Sequence, residues 1–206
     1  MNGLILKDLY NLKGSTAFIV LLTVLFALLF SWEMPEGMVL VSAAMAASLV
    51  SGSFSYDHSY GWNAHAVSIG IPRRMIVTSK FEIGFLFVFA GVLFGLLLAL
   101  IFQITMGMSI DAHQMLSASA MSLGVGMVAS SVICAVNYYV NPQRAQLVST
   151  FFTAVCVSGS IIVCNTMREY LPNLPMSVST MILASGLVLF AVMYVVSQRK
   201  LTHSDL

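Results

Sequence analysis

Charged residues are scarce in this sequence. Asp, Glu, Lys and Arg make up 8% of its 206 residues, hydrophobic residues make up 59%, and the mean hydropathy is +0.93. A water-soluble domain typically contains about 25% charged residues. With so few charges the chain cannot cover a surface that faces water, so the composition predicts a protein whose surface faces lipid.

Other shortages exclude further classes of function. The net charge is +1, so no basic excess indicates a nucleic acid partner. Cysteines are few, odd in number and confined to apolar stretches (Cys134, Cys156 and Cys164), which indicates neither a disulfide framework nor a zinc site. The longest polar stretch, residues 55–82, is too short for a second water-soluble domain. We therefore expect one transmembrane domain over residues 1–206.

Six apolar stretches are long enough, or nearly so, to cross a bilayer core about 30 Å thick. They are Ala17–Ser31, Gly37–Phe54, Ile83–Ile104, Met115–Tyr138, Leu147–Thr166 and Met176–Ser197. Lipid offers no hydrogen bonds to the backbone, so helices are the only suitable element. The prediction is an all-α membrane protein with helices 1 and 2 in residues 17–54 and helices 3 to 6 in residues 83–197.

An amphipathic pattern precedes the first stretch. Four apolar residues recur at helical spacing while three polar residues face elsewhere: Leu4, Ile5, Leu9 and Leu12 against Lys7, Asp8 and Asn11. The pattern predicts an interfacial helix over residues 1–15, with an extension of the first span as an equal alternative. A cleaved signal peptide is not favoured, because bulky and acidic residues (32–36) follow the apolar run in place of small ones.

The distribution of Lys and Arg predicts the orientation in the membrane. Six spans place eight of these residues on one side: Lys7, Lys13, Arg73, Arg74, Lys80, Arg144, Arg199 and Lys200. The other side holds only Arg168. Positive residues are retained on the cytoplasmic side. We therefore expect both termini, the segment 55–82 and the tail 198–206 to lie in the cytoplasm, in a multi-pass protein of the plasma or inner membrane.

Residues that could drive transport or catalysis are missing from the predicted spans. No ionisable residue lies in the middle of a span, whereas ion-coupled carriers use such groups. Lys13-Gly14-Ser15-Thr16 lacks the glycine-rich approach of a phosphate-binding loop, and the four histidines lie in loops or at a terminus, away from any serine nucleophile. The chain is therefore predicted not to be an enzyme, to have no catalytic or metal-binding residues and to bind no cofactor. Energy for transport would come from a partner.

Small residues recur four positions apart within two spans. Gly91 and Gly95 do so in the third span, and Ser122 and Gly126 in the fourth. This spacing allows helix backbones to approach closely. The residues could form a dimer face or, as is commoner, pack the helices of one bundle.

The segment 55–82 combines polar residues with apolar ones that no membrane buries, including Ala64, Val67 and Ile69. We interpret it as a short element that docks on another protein. Arg73 and Arg74 could bind carboxylates of that partner through their planar side chains. The alternative is that these arginines only fix the topology.

Two sets of residues carry a family resemblance. Leu4, Lys7 and Asp8 match a start of the form Met-x-x-Leu-x-x-Lys-Asp. A second pattern follows the second span and reads Tyr-Asp-Glu, then Trp, then Leu-Pro-x-x-Arg, a Val and a Lys. It is matched by Tyr56, Asp57, Trp62, Pro72, Val77 and Lys80, with Arg73 and Arg74 near the arginine position. His58 and Ile71 depart from that pattern. The sequence resembles the small permease subunits of ABC-2 type ATP-binding cassette exporters, most closely those for peptide export or immunity.

The resemblance implies half of a transporter. Two permease copies, identical or paired with a relative, would sit on two ATPase subunits that bind ATP and Mg. The segment 56–80 would contain a coupling helix for the ATPase, and the implied contact residues are Tyr56, Asp57, Trp62, Pro72, Arg73, Arg74 and Lys80. The exported substrate would be an amphipathic peptide or a lipid-like molecule. The competing hypotheses are a non-transporting immunity or scaffold protein and, third, an intramembrane enzyme.

Overall fold

The computed structural model describes residues 2–30, 35–108, 111–170 and 176–203. Helices are the only regular elements in these ranges. They are α1 (Asn2–Asn11), α2 (Lys13–Phe30), α3 (Pro35–Ser59), α4 (Trp62–Ser68), α5 (Arg73–Met106), α6 (Ala112–Tyr139), α7 (Pro142–Tyr170) and α8 (Met176–His203). The predicted all-helical fold is confirmed for this part of the chain.

Four helices of the described residues are long and apolar enough to cross a membrane: Gly37–Ser59, Arg73–Met106, Ala112–Tyr139 and Met176–Leu201. A pair of segments bent by 60°, Gly3–Asn11 and Lys13–Leu25, would be a fifth crossing if it acts as one span. The chain is therefore a multi-pass membrane protein. Six crossings stay a prediction, although each of the six predicted stretches falls on its own helix (α2, α3, α5, α6, α7 or α8), with Ser31 outside the described residues.

Helix α3 lies at the centre of the bundle, where it packs against α2, α5, α6 and α7, while α8 packs mainly against α6. Small side chains permit this arrangement. Gly91 and Gly95 of α5 lie against Ser42 of α3, and the Ser42 hydroxyl donates a hydrogen bond of 2.8 Å to the Gly91 carbonyl. Ser122 is fully buried, and Gly126 faces Val88. The predicted small residues thus pack helices within one chain.

The closest approach of two helices was not predicted. A Cβ atom on Gly186 of α8 would lie 2.5 Å from the carbonyl oxygen of Gly124 in α6, and one on Gly124 would lie 2.7 Å from the carbonyl oxygen of Ile182. Only glycine allows two backbones to lie this close. Gly124 lies two residues from Ser122 and from Gly126, so it does not belong to their four-residue spacing.

The N-terminal helix is shorter than the predicted 1–15. It ends at Asn11, and the 60° bend separates it from α2, so the two do not form one straight helix. Of the apolar residues in the predicted pattern, Leu12 is buried and Ile5 packs against the core, whereas Leu9 is 44% exposed. Asp8 is 1% exposed because it has basic partners inside the bundle.

The segment 55–82 is mostly helical. Helix α3 continues to Ser59, α4 covers Trp62–Ser68, and α5 already begins at Arg73. Likewise α8 continues through most of the predicted tail to His203. The helices extend beyond their apolar stretches because their polar ends pair with one another: Thr78 of α5 and Tyr194 of α8 share a hydrogen bond of 3.0 Å, and Gln198 donates one of 2.7 Å to Tyr194.

Candidate functional site

Helix α4 lies between the end of α3 and the start of α5, at the end of the bundle here called the α4 end. Two glycines with positive φ flank it, Gly61 at 60° and Gly70 at 87°, a conformation that side chains with a Cβ rarely adopt. The Ile71 amide donates a hydrogen bond of 3.0 Å to the Ala66 carbonyl and closes the second turn. Ala66 is the buried residue of α4. The helix therefore rests on the bundle through a narrow face.

Four charged side chains from three helices form a closed ring under α4, here called the ion ring. The Lys7 amine lies 3.1 Å from Asp8 and 2.5 Å from Asp57, and the Lys80 amine lies 2.9 Å from Asp8 and 2.5 Å from Asp57. Lys80 also donates a hydrogen bond to the Ser53 hydroxyl. Each carboxylate contacts both lysines, so the positive and negative charges balance within the ring.

Burial makes the ion ring energetically significant. The side chains of Asp8, Asp57 and Lys80 are each 2% exposed, and that of Lys7 is 21% exposed. Buried charges are costly to desolvate and must be paired. The ring ties α1, which carries Lys7 and Asp8, to the end of α3 and the start of α5.

Each lysine of the ion ring lies near the face of one aromatic ring. The Lys7 amine lies 4.4 Å from the centre of the Trp62 ring, which adds α4 to the connected helices. The Lys80 amine lies 5.2 Å from the centre of the Phe54 ring, and Phe54 meets Tyr138 of α6 edge to face at 5.1 Å. Cations are attracted to the faces of aromatic rings. Elements distant in sequence thus converge at the α4 end.

The predicted coupling residues differ in burial. Asp57 and Lys80 belong to the ion ring, and Trp62 and Tyr56 are half-buried. Pro72 and Arg74 are exposed at the surface. Arg73 is half-buried and donates a hydrogen bond of 3.3 Å to the Leu201 carbonyl of α8. Lys7 and Asp8 were not predicted as site residues. Their signal in the sequence was that their charges are opposite to those of Asp57 and Lys80. Sequence spacing alone does not show that these residues pair.

A groove of about 940 Å³ opens between α2, α3 and α7. Nine of its lining side chains are hydroxyl groups of serine or threonine: Ser15, Ser48, Ser51, Ser55, Ser59, Ser149, Thr150, Thr153 and Ser158. Apolar residues such as Phe18, Leu22 and Met45 alternate with them, and none of the described residues that line the groove is Asp, Glu, Lys or Arg. Such a surface can bind a molecule that carries both apolar and hydrogen-bonding groups.

Metal binding has no support in the part of the chain that the structure describes, since no group of three or more His, Cys, Asp or Glu residues comes together there.

Comparison with known proteins identifies the family. The family model described as ABC-2 family transporter protein matches residues 3–201. Searches of curated proteins and of solved structures gave no match. The match covers nearly the whole chain and confirms the resemblance that the residues of the first 82 positions carried. The chain therefore belongs to the ABC-2 transporter family, as a multi-pass membrane protein of the permease type.

Proposed function

We propose that this chain is the permease subunit of an ATP-dependent exporter and that a separate ATPase subunit binds and hydrolyses ATP with Mg. The observation that carries this proposal is α4, a short helix at the α4 end of the bundle that is tied through Trp62 and Lys7 to the ion ring. Tyr60 and Ile69 beside it are 78% and 58% exposed, which leaves apolar surface for a protein partner. Closure of the ATPase would push on α4 and bias the bundle between inward-facing and outward-facing states.

The groove between α2, α3 and α7 supports an amphipathic substrate. Its hydroxyl groups can bind peptide carbonyls and amides, and its apolar residues can hold aliphatic side chains. Its described lining residues carry no charge that would compensate an ion leaving water, which disfavours small ions as cargo. An amphipathic peptide is the substrate class that we propose. A lipid-like molecule is the competing class.

Assembly as a homodimer would close this groove. Exposed apolar residues border it on both sides: Phe18, Leu21 and Leu25 of α2 are 61%, 57% and 48% exposed, and Leu147, Phe151 and Val155 of α7 are 73%, 73% and 50% exposed. In a cysteine-free background, Phe151→Cys should give a covalent dimer after mild oxidation in native membranes. Val188→Cys, on exposed α8 at 63%, is the matched control and should remain monomeric. Equal cross-linking of both variants would count against α7 as the dimer face.

The orientation can be tested by labelling in intact cells. Single cysteines are introduced at His203 and at Asn173, which lies outside the described residues. A membrane-impermeant thiol reagent should label position 173 and leave position 203 unmodified until the cells are opened, because the positive charges hold the ends of the chain inside. Labelling of 203 with protection of 173 would reverse the proposed orientation.

Arg74 is the best test of ATPase contact, since Arg73 also bonds to α8. Truncating a buried, hydrogen-bonded arginine at a protein interface costs about 2–5 kcal/mol of binding free energy. Arg74→Ala should therefore weaken co-purification of the ATPase and abolish export, at normal abundance in the membrane. Arg144→Ala removes the same charge from another exposed position that is predicted to lie on the same side and is the control.

The same measurement separates the competing hypotheses. Failure of the wild-type chain to bind any ATPase, with retained peptide binding, would favour the non-transporting immunity protein. If Arg74→Ala binds the ATPase and exports substrate like the wild type, Arg74 only fixes the topology.

A further inference from the structure

Helix α4 has few means of holding its position. It has seven residues, one of which is buried, and a glycine turn at each end. Its large side chain, Trp62, is half-buried and lies against the Lys7 amine. Since the glycine turns restrict the backbone little, side-chain contacts must set where α4 lies. The contact between Trp62 and Lys7 joins α4 to α1, two elements whose sequences are more than fifty residues apart.

Lys7 differs from the other members of the ion ring. Its side chain is 21% exposed, against 2% for each of the other three. If Lys7 leaves, Lys80 still contacts both carboxylates at 2.9 and 2.5 Å, so the buried charges keep a partner. If Lys80 leaves, both buried carboxylates depend on Lys7 alone, whose side chain is partly exposed. Lys80 is thus the fixed cation of the ring, and Lys7 is the cation that can move without stranding a buried charge.

We propose that Lys7 is a positioning residue that transmits movement of α4 to the ion ring and from there to α1, α3 and α5. A push that displaces Trp62 changes the place of the Lys7 ammonium. That ammonium is shared between Asp8 and Asp57, so its displacement redistributes the forces on two helices at once. Attraction between charges in a site shielded from water is strong, so a small shift of one charge changes the energy of its partners. This inference rests on the proposed function, because the ATPase supplies the push.

Asp57 and Lys80 thereby obtain a role different from the one first predicted for them. Both are buried in the ion ring and cannot reach a partner protein as the chain stands. They receive the movement rather than contact the ATPase. The exposed residues near α4, such as Arg74, would make the contact itself.

The first arm of the test needs only the purified permease. The chain has two tryptophans, so in a Trp32→Phe background the fluorescence comes from Trp62 alone. Lys7→Gln should raise the acrylamide quenching constant of Trp62 by about twofold, the size of effect expected for loss of one cation–π contact. Lys7→Arg should keep the wild-type value because it keeps the cation. Lys13→Gln, at an exposed position of α2, controls for the lost charge. Unchanged quenching in Lys7→Gln would overturn the proposal.

The second arm uses the complex with the ATPase in liposomes. Lys7→Gln should move several-fold less substrate per ATP hydrolysed than the wild type, and Lys7→Arg should restore that ratio. A purely structural role would lower abundance, binding and transport together. A normal ratio of transport to hydrolysis in Lys7→Gln would overturn the transmission role, even if Trp62 is loosened. Failure of the wild-type chain to bind an ATPase would refute the proposed function, and the fluorescence arm would still decide whether Lys7 holds α4.

Discussion

Lys80→Met should destabilise the protein more than any other single loss of charge. The change leaves Asp8 and Asp57, both 2% exposed, with Lys7 as their shared cation. Breaking a buried ion pair by removing one partner costs about 3–5 kcal/mol, because the remaining charge is buried without compensation. For a chain of this size that corresponds to a fall in melting temperature of roughly 10 °C, measurable by thermal denaturation of detergent-purified protein.

Two matched variants separate this effect from a general loss of positive charge. Lys13→Met removes an exposed lysine and should melt near the wild type. Adding Asp8→Asn and Asp57→Asn to Lys80→Met should recover most of the lost stability, since neutral groups are far less costly to bury than unpaired charges. If Lys80→Met alone melts like the wild type, the ion ring does not stabilise the fold.

Gly186→Val should disrupt the packing of α6 against α8. The first added carbon would lie 2.5 Å from a backbone carbonyl oxygen of α6, and backbone cannot turn aside as a flexible side chain can. Overpacking of a well-filled core typically costs about 1–3 kcal/mol, and here two helices must separate along their contact. We expect loss of the monodisperse peak in size-exclusion chromatography or a clearly lowered melting temperature.

The control for this change is Gly159→Val in α7, where an added Cβ would meet nothing within 4 Å. It makes the same chemical substitution in a helix of similar length. A wild-type melting temperature for Gly159→Val with a lowered one for Gly186→Val would locate the effect in the contact between helices. Equal behaviour of the two variants would contradict the close approach of α6 and α8.

The helices could be predicted because hydrophobicity accumulates over about 20 residues, and a signal of that length survives local irregularities. Their ends could not. Residues 55–59 and 73–82 are more polar than the spans beside them, yet they belong to α3 and α5 because Asp57 and Lys80 are paired inside the bundle. Hydropathy measures the preference of a single residue and contains no information about its partner.

The candidate site shows the same limit at the level of side chains. In the sequence, Lys7 and Asp8 match a family motif, and the positions of Lys7 and Lys80 predict the topology. Their contacts join residues 50 and 72 positions apart, which no helical or strand spacing encodes. Gly124 and Gly186 are likewise paired only by the crossing of two helices. Composition predicted the class of protein, and packing decided the partners.

The ion ring also constrains the order in which the chain can assemble at the ribosome. Asp8 belongs to α1, and its fully buried partner Lys80 follows 72 residues later. Helix α1 therefore cannot take its final place until α3 has been completed and the start of α5 has emerged. Helix α1 is made before the two helices that carry its partner charges, so it becomes fixed only after they have been made.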